Sequence, residues 1–272
     1  MNATPDPGLE LGIVSDEIDV SFREAVRHAA GWGIRQFEIR CLKSGRIPDV
    51  DASEWQDLLR TVAEQGLTIT ALSPGMFKHP LSKTEDIERE LDHVLPRTMA
   101  MARECGARII IVFGFQRQTG ASSGGDEAAI EYLRRAADAA GRNGLTLAIE
   151  NEPGFHCDTG ANTRHIIEEV GSPALGANWD PCNAYGTDET PYPAGYEAVK
   201  PRIVNVHAKD TKKGALIQCV PIGDGVIDWN GQIQALLRDR IVRHVTIETH
   251  CLPLVEQSEK NVRVLRSLIG RH

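Results

Sequence analysis

The chain has 272 residues, 41% hydrophobic and 25% charged, which excludes a disordered or low-complexity polypeptide and suits one α/β barrel. A formal net charge of −8, with no basic run denser than 209–213 and that one interrupted by Asp210, argues against a nucleic-acid partner. No apolar run approaches membrane-spanning length, and the six cysteines form no Cys-x-x-Cys pair, so the expectation is a cytoplasmic protein with reduced thiols and no membrane partner.

Residues 1–10, MNATPDPGLE, lack the basic-then-apolar pattern of a signal peptide and are expected to be a disordered leader to one domain at 11–272. Apolar runs at 11–16, 36–41, 68–73, 107–114, 145–150, 175–180, 203–208 and 244–249 predict strands whose starts lie 25 to 41 residues apart, the length of a βα unit. Helical stretches fill the intervals. Ser53, followed three residues later by Gln56, has the pattern of a capping box. Thr84 opens a long helix that Pro96 should kink or split. Asp228 is placed to cap a helix from Trp229, and Gly66, Gly106 and Gly144 stand where helices should stop. The alternation predicts a parallel sheet, and eight repeats favour closure into a single (β/α)8 TIM barrel.

Strand parity then selects candidate residues, because successive side chains point to opposite faces. Leu145, Leu147 and Ile149 oppose Thr146, Ala148 and Glu150; Gly176, Asn178 and Asp180 share a face. Val204 and Val206 oppose Asn205, His207 and Lys209, while Val245 and Ile247 oppose His244, Thr246, Glu248 and His250. The greasy faces belong against outer helices. The polar faces point into the barrel and carry Glu150, Asp180, His207 and Glu248 to the C-terminal mouth, where such barrels hold their active sites. Three converging carboxylates must take up protons or share a cation. With one imidazole, they suit one divalent ion: Mn2+, Mg2+ or Co2+, and Zn2+ less typically.

The segments AIENEP (148–153), NWDPCNAY (178–185), VHAKD (206–210), GDGVIDW (223–229) and TIETH (246–250), with SDEI at 15–18 and FEIR at 37–40, resemble the xylose isomerase-like superfamily of sugar phosphate isomerases/epimerases. The resemblance implies that Glu150 and Glu248 are acid/base residues as well as metal ligands. It also implies a small polyhydroxylated substrate, isomerised or epimerised by proton abstraction next to a metal-bound carbonyl to give an ene-diolate. A lyase or dehydratase acting on a keto-sugar or keto-glycoside shares that first step. A non-catalytic sugar-binding subunit would be expected to lose an acidic ligand, and none is lost. Abasic-DNA endonucleases of the same fold use further histidines; here Asn183 and Asp228-Trp229-Asn230 stand at those places.

Around this core, Asn183 is expected to touch substrate, and Lys209 either stabilises an oxyanion or is a solvated loop lysine. Glu38 and Arg40 share the inward face of the second strand, as substrate contacts or a buried ion pair. His79, after the third strand, and His250, beyond Glu248, are further substrate candidates. Trp179 is of outward parity and reads as core. His156 reads as a loop residue, with substrate contact as the alternative. The Gly223-x-Gly225 turn reads as a phosphate cradle or simply a tight turn. Homo-oligomerisation is left open by the sequence.

Overall fold

The computed structural model describes residues 8–118, 127–214 and 216–270. Residues 1–7 of the expected leader lie outside it, and the first strand already begins at Glu10. Eight parallel strands close into a barrel in chain order: Glu10–Val14, Gln36–Ile39, Thr68–Leu72, Ile109–Phe113, Thr146–Glu150, Leu175–Trp179, Ile203–Ala208 and His244–Ile247. Closure is made by the first strand pairing with the eighth, Gly12 opposite Thr246. Helices on the outside follow the strands, the longest being Ala52–Gln65, Glu127–Arg142 and Leu254–Ile269. Short antiparallel ribbons, Cys41–Leu42 with Gly45–Arg46 and Asp210–Thr211 with Cys219–Val220, extend the loops after the second and seventh strands. Among the described residues no helix is long and apolar enough to cross a membrane, and all six cysteines are free.

Alternation of side chains along the strands produces two separate apolar regions. Phe37, Ile39, Leu147, Ile149, Trp179, Val206, Val245 and Ile247 belong to the large core between strands and helices. Inside the barrel, Ala71, Ile111 and Ala148 form a small cluster with Ile109 and Val204 against it. Val204 was expected outside with Val206. A register shift between Ala177 and Asn178, where the sixth strand meets the seventh, breaks the alternation and turns Val204 inward. It lies so close to Gly176 that a Cβ there would meet both Val204 methyls, the nearer at 2.6 Å.

Local signals also divide. Asp228 caps its helix, accepting from Gly231 N at 2.8 Å, and Gly66 and Gly106 end theirs at φ 59° and 77°. Pro96 falls in the first turn of Leu95–Cys105, just after a π-helical segment at Glu90–Val94, which is the expected split. Ser53 does not cap. The helix starts at Ala52 after an extended Asp51, and Glu54 instead binds Lys43 N and Ser44 N, tying the helix to the neighbouring ribbon.

Candidate metal centre

Glu150 ends the fifth strand, Asp180 follows the sixth, His207 lies near the end of the seventh and Glu248 follows the eighth. Their side chains meet: one ligand atom from each lies within 4.8 Å of all the others, and all four residues are buried. His207 Nδ1 stands 3.4 Å from Glu150 Oε1 and 3.6 Å from Glu248 Oε2.

Each member is held from behind. Asp180 Oδ1 accepts the backbone N–H groups of Cys182 and Asn183 at 2.8 and 3.0 Å. A reciprocal pair fixes its backbone: Asn151 Nδ2 donates to Asp180 O and Asp180 N donates to Asn151 Oδ1, both at 2.8 Å. Asn183 Nδ2 donates to Asn151 O at 2.9 Å and to Glu150 Oε1 at 3.3 Å. His207 Nε2 meets Glu38 Oε2 at 2.9 Å, with both side chains only 1% exposed. A carboxylate at Nε2 holds a proton on that nitrogen, so that with an ion bound Nδ1 would turn its lone pair to the other three residues; without one, the surrounding carboxylates favour the protonated ring.

Cations complete the frame. Lys209 Nζ lies 2.8 Å from Asp180 Oδ2 and 2.9 Å from Glu248 Oε2. It is buried, so the solvated-lysine reading is excluded. Arg40 reaches Glu248 Oε1 at 2.8 Å, Glu17 at 2.6 Å and Asp16 at 2.9 Å. His250 Nδ1 lies 2.7 Å from Glu17 and its Nε2 3.2 Å from Glu248 Oε1. Burial would raise the Glu248 carboxyl, but Lys209, His250 and His207 hold it well below its ordinary range. Burial would lower the His207 imidazole, but Glu38, Glu150 and Glu248 raise it well above its ordinary range. Burial also opposes charge on His250, and Glu248 and Glu17 outweigh it, holding the imidazole at about 9.

The donor set fits a divalent ion. Two buried atoms aimed into the cluster, His207 Nδ1 and Asp180 Oδ2, make no aligned hydrogen bond; Lys209 approaches the latter off line. Three carboxylates and an imidazole match a hard or borderline cation. That cation would offset carboxylates that Arg40, Lys209 and His250 neutralise only in part.

The remaining candidates are distributed differently. Glu38 is behind His207, and Arg40 is committed to carboxylates; in neither case is the contact with the other. Asn183 supports Glu150. His79 turns to Glu90, 3.1 Å away, and packs on Phe115. His250 stays at the rim, 38% exposed. Trp179 is core, with Nε1 bound to Gln232. His156 is a loop residue as expected, and it is buried. The Gly223-x-Gly225 turn closes on the chain's own Asp210, which accepts from Gly223 N at 3.0 Å and Ile227 N at 3.1 Å. A Cβ at Gly225 would collide with that carboxylate, so the turn is not a phosphate cradle. Sequence reasoning passed over Glu152. It continues the inward parity of Ala148 and Glu150, and burial together with Glu150 raises its carboxyl to about 7.

A closed parallel barrel with this cluster at its C-terminal mouth defines a class of fold, and the family model of that class, the xylose isomerase-like TIM barrel, matches residues 26–268. The chain belongs to that family. No curated protein matches it in sequence. Among solved structures it is similar to a probable 3-DHS dehydratase, AsbF, from Bacillus anthracis, with 17% identity over 95% of this chain and 99% of that one and a TM-score of 0.73. It is similar to a xylose isomerase-like TIM barrel protein from Mycobacterium smegmatis in complex with magnesium, with 18% identity, coverage of 100% and 99%, and a TM-score of 0.73. It is also similar to the 3-keto-D-glucoside 4-epimerase YcjR from E. coli, with 17% identity, coverage of 96% and 100%, and a TM-score of 0.75. At these identities the likeness is one of fold.

Proposed function

We propose that the chain is a divalent-metal-dependent isomerase or epimerase of a small sugar or keto-sugar. The observation that carries this reading is the position of His207 Nδ1, which makes no aligned hydrogen bond among the described residues and is flanked by the carboxylates of Glu150 and Glu248 at 3.4 and 3.6 Å. Glu150, Asp180, His207 and Glu248 would hold the ion, Mn2+ in the first place and Mg2+, Co2+ or Zn2+ after it. When bound, the ion supplies Lewis-acid polarisation of a substrate carbonyl.

The chain's own residues do the rest. Glu150 and Glu248 reach the same point from different strands, so one takes the proton from the carbon next to the carbonyl and the other returns it on the opposite face. Among the described residues, Arg40, His250 and Lys209 grip Glu248, whereas Glu150 has Asn183 at 3.3 Å and His207 at 3.4 Å, so Glu150 has the greater freedom to turn toward that carbon. The Lys209 ammonium is placed to meet negative charge developing on a substrate oxygen.

The test is activity on a panel of ketoses and keto-glycosides after exhaustive chelation, followed by addition of single metal ions. Turnover that disappears and returns with Mn2+, Mg2+ or Co2+ is expected. Full turnover by metal-free protein overturns the reading. A product that has lost a β-substituent, in place of a recovered isomer, assigns the lyase branch.

A further inference from the structure

At the N-terminal end of the barrel, several arginines have no carboxylate partner among the described residues, although the chain as a whole carries a net charge of −8. Arg108 stands one residue before the fourth strand and Arg243 one residue before the eighth, on opposite sides of the closed barrel. Both are exposed, and among the described residues neither side chain makes a hydrogen bond or an ion pair. On the same face, Arg35 donates to Gln65 O and Gly66 O at 2.7 and 2.9 Å, and Arg266 to Trp32 O at 2.6 Å, all backbone carbonyls that leave the guanidinium charge in place. The mouth is the reverse: Arg40 is shared among three carboxylates and Lys209 between two.

Arg108 and Arg243 line one pocket of about 380 Å³, whose wall is completed from the starts of the first, second, third and eighth strands. Thr68 brings a hydroxyl to it and His244 an imidazole. The ring is anchored: Asn205 Nδ2 donates to Asn178 Oδ1 at 3.0 Å, which leaves Asn205 Oδ1 to accept from His244 Nε2, also at 3.0 Å. Glu10 is the acidic residue of the lining, and Gln36 Nε2 donates to its carboxylate. Two guanidiniums against one carboxylate leave the pocket positive.

An unpaired guanidinium is a planar fork of donors that suits an oxyanion. A carboxylate offers two oxygens and one charge, which one such fork satisfies. A phosphate monoester offers three oxygens and nearly two charges, which matches two forks and a hydroxyl brought in from different strands. The volume lies within the small-molecule range, at its lower end. We infer that this pocket binds a small molecule through a phosphate group, at the end of the barrel opposite the metal cluster. A ligand there does not compete with a substrate at the mouth, and the inference is independent of the reaction proposed for the mouth.

Inorganic phosphate is the probe, titrated at neutral pH and constant ionic strength into the full, Mg2+-loaded chain carrying 13C-labelled histidine. The His244 ring signal, identified by its loss in His244→Gln, reads the pocket by NMR and is expected to shift saturably. Arg108→Gln and Arg243→Gln should each weaken binding about tenfold, the effect of one lost charge-assisted contact. Both positions are exposed, so neither substitution threatens the fold. Lys213→Gln removes the same charge in the loop after the seventh strand, and screening should keep its affinity within about twofold of wild type. A His244 signal that does not move, one that moves with wild-type affinity in both arginine variants, or one that responds as strongly to acetate overturns the inference.

Discussion

Glu38 Oε2 lies 2.9 Å from His207 Nε2, and neither side chain touches solvent to more than 1%. Removing the charge of a carboxylate behind a ligating histidine typically costs 10- to 100-fold in metal affinity. Glu38→Gln keeps the shape and can still bond to the ring, but its amide no longer fixes which nitrogen carries the proton. Calorimetric titration with Mn2+ is expected to show affinity at least tenfold weaker than wild type. Unchanged affinity would remove Glu38 from the ion's support.

Arg40 is a stability element as much as a site residue. Arg40→Met would leave Asp16, Glu17 and Glu248 without their shared guanidinium. Breaking a buried pair from one side costs about 3–5 kcal/mol. Urea unfolding should register a loss of that order, with partial recovery in Arg40→Lys. A loss below about 1 kcal/mol would show that the three carboxylates relax into water or take up protons.

His244, at the start of the eighth strand, gives a pH dependence that is linked to the mouth through His207. Burial, reinforced by the charge of His207, pushes it down to about 4 from an ordinary 6.5, and its Nε2 faces Asn205 Oδ1 at 3.0 Å. Between those two values the unfolded chain binds a proton that the folded chain refuses. Stability therefore falls as pH drops through that window, by at most about 1.4 kcal/mol per pH unit from this group. His244→Gln should flatten the fall between pH 6.5 and 4 in denaturant midpoints. An identical slope in wild type and variant would contradict the assignment.

Abasic DNA should not be cleaved. Asn183 is spent on Glu150 and Asn151, and Asp228 is spent on capping its helix, so neither position offers a further metal ligand. Metal-dependent nicking of an abasic duplex by pure protein, lost in Asp180→Ala, would place the chain among the nucleases of this fold.

What the sequence made legible follows from what alternation can carry. The faces of Glu150, Asp180, His207 and Glu248 could be read because each stands at the end of a short strand, where parity and depth are both defined. Parity also placed Glu38 and Arg40 inward. It could not tell that Glu38 meets a histidine 169 residues away while Arg40 meets Glu248 across the closed barrel, since those distances arise only on closure. Val204 was misread because a register shift leaves no mark in composition. Ser53 had the letters of a cap, but the helix already begins at Ala52, which leaves Ser53 inside its first turn. The role of Asp210 was not legible, because its partners lie up to 17 residues ahead, in a turn whose letters also suit an anion cradle.

Glu150 and Glu248 are expected to move a proton at the carbon beside a carbonyl. Incubating metal-loaded protein with neutral ketoses and keto-glycosides in D2O, and reading deuterium at that carbon by NMR, measures it directly. Wild-type protein is expected to introduce label into recovered substrate or isomer. Glu150→Gln and Glu248→Gln should each lose about 10²- to 10⁴-fold of that rate, with the fold intact by circular dichroism. Wild-type labelling rates in both amide variants would contradict the account.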